Sequence, residues 1–136
     1  MSSNAQIELE IWDGALSKRE RLPEATSQAL REALSRLDGQ RIDSLWIEFE
    51  DEGSLCVGGG PSGFVVMSFP SDGSSSHVVT GDDDGTTLEV QVGGQTGVYQ
   101  RAMVLPATSA FDIAERFLKS GAFDSGLKWI EDCPAE

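Results

Sequence analysis

Apolar and polar residues alternate with a period of two along Ile7-Glu8-Leu9-Glu10-Ile11-Trp12. That pattern predicts a half-buried strand, closed by Asp13-Gly14. From Leu22 to Leu37 the period lengthens, and Ala29, Leu30, Ala33, Leu34 and Leu37 form one helical stripe. Pro23 suits a first turn, and Asp38-Gly39 supplies the stop. A second strand follows over 42–50, with Leu45, Ile47 and Phe49 on one side and Trp46, Glu48 and Glu50 on the other. Ser54-Leu55-Cys56-Val57 reads as the next strand, and Gly58 to Gly63 reads as a loop. Phe64 to Phe69 is apolar on both faces, which places it centrally in a sheet.

A short strand is expected at His77-Val78-Val79 and another at Leu88, Val90 and Val92, with a last one from Val98 to Leu105. Pro106 breaks that strand, and a helix runs from about Ser109 to Ser120. Its expected start is a capping box of Ser109 with Asp112, and Gly121 ends it. Leu127, Trp129 and Ile130 are expected to fold back onto the body. Connections of hairpin length imply an antiparallel sheet with two main helices on one face, an α+β fold. With 136 residues and no internal repeat, the chain is read as one domain, 1–136.

Charge changes the picture most. Twenty-three acidic residues face ten basic ones, for a net charge of −13. Such a chain repels phosphate backbones and anionic lipid surfaces, so neither nucleic acid nor a membrane is an expected partner. The same field draws in a basic protein and speeds its association. No run of about 18 apolar residues exists to span a bilayer. The first residues show neither a basic n-region nor an apolar h-region, and Cys56 and Cys133 follow no disulfide or CxxC pattern. A cytoplasmic setting is expected, with pairing of the two thiols left open.

Catalytic chemistry finds little to use. His77 is the one histidine and sits in no nucleophile motif, and it reads as a strand-edge or surface residue. Cys56, Cys133 and His77 show no zinc-ligand spacing. Gly58 to Gly63 lacks the Lys and following helix of a phosphate loop. Asp82-Asp83-Asp84-Gly85 has consecutive acids between strands, where a calcium loop needs alternating ligands. No enzyme, cofactor or metal is expected. Alternation instead gathers Glu8, Glu10, Trp12, Trp46, Glu48 and Glu50 on one sheet face, with Glu89 and Gln91 on a later strand. If the helices cover the other face, this one presents tryptophans within a carboxylate array, the make-up of a protein interface.

Val104-Leu105-Pro106, Ala114, Phe117-Leu118, Gly121 and Leu127-Lys128-Trp129 together resemble the ending of immunity protein family 1 of bacterial polymorphic toxin systems. Leu45-Trp46-Ile47-Glu48-Phe49, Cys56 and Phe64-Val65-Val66-Met67 are similar to that family's central hairpins. The likeness covers roughly residues 42–132, and Phe123-Asp124-Ser125-Gly126 departs from it by lacking a proline. The resemblance implies an antitoxin that binds a cognate toxin domain, one to one, and blocks its basic substrate cleft. Nucleic-acid deaminases are among the toxins it implies. The expected contacts are Glu50, Asp51 and Glu52 in one turn, Asp82, Asp83 and Asp84 in another, and Trp46 and Glu48 on the strand face. The rival reading is an acidic adaptor or secretion chaperone, which holds its partner without inhibiting an enzyme and favours an exposed apolar groove and self-association.

Overall fold

The computed structural model describes residues 5–49, 53–61, 63–70, 74–79, 85–92, 94–121 and 128–131. Strands β1 (Ala5–Asp13) and β2 (Leu16–Arg21) form a hairpin, and helix α1 (Ser27–Ser35) follows. Strands β3 (Ile42–Phe49), β4 (Gly53–Gly60), β5 (Gly63–Pro70) and β6 (Ser76–Val79) come next. A second hairpin, β7 (Thr87–Val92) and β8 (Gln95–Gln100), leads through one 3-10 turn to helix α2 (Ala107–Ser120) and strand β9 (Lys128–Glu131). Seven strands make one antiparallel sheet in the order β2-β1-β3-β4-β5-β6-β9, while among the described residues β7 and β8 pair with each other alone. The fold is α+β, as the alternation implied.

Both helices pack on one face of the sheet. Ile7, Leu9, Leu45, Ile47, Leu55, Val57, Phe64, Val66 and Val78 meet Leu30, Ala33 and Leu34 of α1 and Ala110, Ile113, Ala114, Phe117 and Leu118 of α2. Phe49 and Phe117 meet edge to face at 5.9 Å. Trp129 packs against this core from β9, the strand that closes the sheet beside β6. Leu127, expected with it, lies outside the described residues.

Several expected elements are corrected. Strand β2 is an addition to the expected elements: all six of its residues are exposed, so it carries no apolar period. Gly14, at φ 65°, turns β1 into it through a two-residue loop between Asp13 and Leu16. Helix α1 starts at Ser27, five residues later than the stripe suggests, since Leu22 still bonds to Ile7 of β1. Thr26 caps it, its hydroxyl accepting from the Ala29 N–H at 3.1 Å, and Pro23 stays outside. Helix α2 starts at Ala107 behind Pro106, with no side-chain cap, so the Ser109–Asp112 box does not form.

The expected loop at Gly58–Gly63 is mostly strand. Gly58, Gly59 and Gly60 extend β4, and Gly60 pairs with Gly63 of β5. Their missing side chains seat the β7–β8 hairpin. A Cβ on Gly58 would stand 2.5 Å from both methyls of Val92. The hairpin therefore lies across the sheet face opposite the helices, where Val90, Cys56 and Val65 are buried. The expected strand Val98–Leu105 stops at Gln100. Leu105 instead makes an isolated bridge to Phe64.

Candidate functional site

The open part of the outer face is built from β2, β1, β3, the start of β4 and the end of β5. The registers align Arg21, Glu8 and Trp46 across one row, then Cys56 and Met67. Trp46 is half-buried and lies against Phe69, with ring centroids 5.4 Å apart. Arg19 reaches over it from β2, its guanidinium carbon 4.5 Å from the ring centroid. The same guanidinium contacts Glu48 at 3.2 Å and Glu8 at 3.4 Å, and Arg21 contacts Glu8 at 3.6 Å. Glu10 accepts hydrogen bonds from Ser44 and Ser17, each at 3.0 Å.

Trp46 and Glu48 thus come together as expected, in a patch whose composition differs from the expected one. The carboxylates do not form a bare array, because Arg19 and Arg21 from the unread edge strand sit among them. Trp12 is not an open anchor either. Its indole N–H donates to Asp43 at 3.1 Å, beneath the turn of the β7–β8 hairpin. Glu89 and Gln91 belong to that hairpin and not to the sheet face. The remaining expected contacts, Glu50, Asp51, Glu52, Asp82, Asp83 and Asp84, lie outside the described residues.

Asp43 is the residue that sequence reading missed. Strand β3 bulges there: Glu10 pairs with Ser44, yet Ile11 pairs with Ile42, so Asp43 has no opposite number. The bulge lets Ile42 reach the helix-side core while Asp43 points into the other face. Fully buried, its carboxylate accepts from the Trp12 indole, the Gln91 amide at 3.0 Å and the Gly94 backbone N–H at 2.7 Å. It ties β1, β3 and the hairpin together. The signal was present in Ile42-Asp43-Ser44-Leu45, where two core residues stand three apart and break the alternation.

His77 lies in β6 between β5 and β9, not at a sheet edge, and its ring stands 5.9 Å from that of Tyr99. Cys56 is a free, wholly buried thiol whose pKa is pushed up by burial. Among the described residues no three His, Cys, Asp or Glu side chains converge to hold a metal ion. Nor is any described helix long and apolar enough to cross a membrane. On the helix side, an open groove of about 1080 Å³ runs between α1, α2 and the β4–β5 turn. Leu34, Phe64, Leu105 and Phe111 line it, with Arg31, Arg101, Asp112 and Glu115 among them, and Arg31 stacks 4.2 Å from the Phe111 ring.

No known protein family, curated protein or solved structure matches the chain.

Charge is distributed unevenly along the sequence. Thirteen acidic and ten basic residues fall among the described residues, whereas the remaining segments hold ten acidic residues and no Lys or Arg. The strands and helices are close to self-neutralised. Most of the surplus lies outside the described residues.

Proposed function

We propose that this chain is a non-catalytic immunity protein that binds a cognate bacterial toxin domain in the cytoplasm and neutralises it by covering a basic substrate cleft. The observation carrying this reading is the half-buried Trp46–Phe69 pair, set among Arg19, Glu8 and Glu48. An aromatic anchor within a charged rim is the arrangement that concentrates binding energy at protein interfaces. The ion pairs hold the indole in place before a partner arrives, which lowers the entropic cost of docking. A basic partner can take over Glu48 from Arg19, so its own cation enters an existing network. The surplus of −13 supplies long-range attraction, and the acidic segments containing Glu50–Glu52 and Asp82–Asp84 add to it. A nucleic-acid deaminase fits this chemistry, because its cleft must attract a polyanion.

The test is co-purification with the product of the adjacent gene, followed by an assay of that product's activity. A one-to-one complex with loss of toxin activity supports the proposal, and Trp46→Ala should weaken it by about 2 kcal/mol, some thirtyfold. Joint replacement of Asp82, Asp83 and Asp84 by Lys should slow association and flatten its salt dependence. No binding and no protection would end the reading.

A second reading, an acidic adaptor or secretion chaperone, draws on the apolar groove between α1 and α2. It expects the partner to remain fully active in the complex, so the same assay separates the two.

A further inference from the structure

The free edge of β2 has a pairing code of its own. Leu22 donates its N–H to the Ile7 carbonyl at 2.9 Å, which fixes the hydrogen-bonding phase of the β1–β2 ladder. Counting back by twos, Glu20, Lys18 and Leu16 turn their backbone groups toward β1. Ser17, Arg19 and Arg21 therefore turn theirs outward, where no strand pairs with them among the described residues. Open edges of this kind are templates for another strand.

We propose that a second copy of this chain pairs there, β2 against β2, antiparallel and centred on Arg19. In that register Ser17 and Arg19 each exchange backbone hydrogen bonds with Arg21 and Arg19 of the other copy, and all the outward groups are used. Lys18 then stands opposite Glu20 twice, in the closely spaced non-hydrogen-bonded positions where cross-strand side chains interact best. Lys18 makes no ion pair among the described residues, and Glu20 contacts Arg36 at 3.4 Å through one of its two oxygens. Leu16, 77% exposed and the most exposed large apolar residue described, comes to lie against Leu22 of the other copy. Shifting the register by two residues would set Lys18 against Lys18 or Glu20 against Glu20 on the axis, so charge selects the centred one.

Arg19 sits on the two-fold axis, yet its side chain is drawn inward across β1 to Glu48 of β3, and Arg21 is drawn to Glu8. Both arginines are thus compensated within their own copy and swept back from the edge. The pairing makes one continuous sheet of fourteen strands from two sheets of seven. An edge of six residues covers less than the roughly 1,600 Å² of a standard interface, so the dimer is a concentration-dependent equilibrium. This inference rests on the geometry and side-chain pattern of β2 and stands whichever functional reading holds.

Sedimentation of the full chain from about 10 µM to 1 mM, the range in which weak pairing is populated, reads it directly. The average mass should rise from 14.6 kDa toward twice that value. Ser17→Pro removes an outward N–H without touching the β1 ladder, so it should keep the circular dichroism spectrum and stay at monomer mass. Should that variant misfold, K18E and E20K decide the matter. Each alone should associate at least severalfold more weakly than wild type, and their equimolar mixture should associate more strongly than either. A wild-type chain that stays at 14.6 kDa throughout overturns the proposal. So does a folded Ser17→Pro chain that dimerises like wild type, or a K18E and E20K mixture no stronger than its components.

Discussion

The Trp12 indole N–H meets the Asp43 carboxylate at 3.1 Å, joining the first strand of the sheet to a bulge in the third. Because Gln91 and Gly94 donate to the same carboxylate, this one buried acid fixes the β7–β8 hairpin over the sheet. Asp43→Ala would leave the Trp12 indole and the Gly94 N–H without their acceptor, Gln91 keeping the Gln40 carbonyl at 2.8 Å, at a cost of about 2 kcal/mol. Chemical denaturation should show that loss, and amide exchange should show β7 and β8 opening before the main sheet. Unchanged exchange in the hairpin would remove Asp43 from this role.

Gly58 tests the seat beneath the hairpin. With Val92 methyls 2.5 Å from where a Cβ would stand, Gly58→Ala has to push β7 away from β4. Overpacking of this kind costs about 1–3 kcal/mol. The expected readout is a lowered melting temperature with far-UV dichroism preserved, because the seven-stranded sheet does not depend on the hairpin for its pairing.

Asp38 supplies a pH dependence of known sign. Its carboxylate accepts from the Gln40 and Ile42 backbone N–H groups at 2.9 and 3.0 Å, which holds its pKa below the usual 3.8, the Gln40 bond contributing most. The carboxylate form is thus favoured in the folded chain. Its stabilising contribution is fully present above pH 3.8 and is lost as the pH falls through the lower folded value. Asp38→Asn should make the acid limb of the stability curve shallower below that pH, as measured by denaturation at a series of pH values.

Cys56 should be inert while the chain is folded. Burial raises its pKa and keeps it as a thiol, and the reactive species is the thiolate. In a Cys133→Ser background, alkylation of Cys56 should wait on unfolding and follow the denaturation curve. Rapid alkylation of the folded chain would show that β4 opens locally.

Sequence pattern made legible what a single buried face imposes. The stripe of α2 and the alternation of β1 and β3 each report one side in contact with a core. Strand β2 has both sides in water, and nothing in Leu16-Ser17-Lys18-Arg19-Glu20-Arg21 marks it except the Asp13-Gly14 turn before it. That omission also hid Arg19 and Arg21, so the outer face looked more acidic than it is. The alternation of Leu88, Val90 and Val92 was visible, but a period of two cannot say which sheet a strand joins. The glycines of β4 look like a loop until Val92 explains why side chains are missing there.

The near-balance of charge within the strands and helices has a consequence for how such a chain can change. Residues that set the long-range attraction are largely separate from those that hold the layers together. Substitutions among the acids outside the described residues therefore alter the long-range field, and in the proposed role the rate at which a partner is drawn in, while the scaffold keeps its stability. In the role proposed above, one architecture serves a succession of different partners.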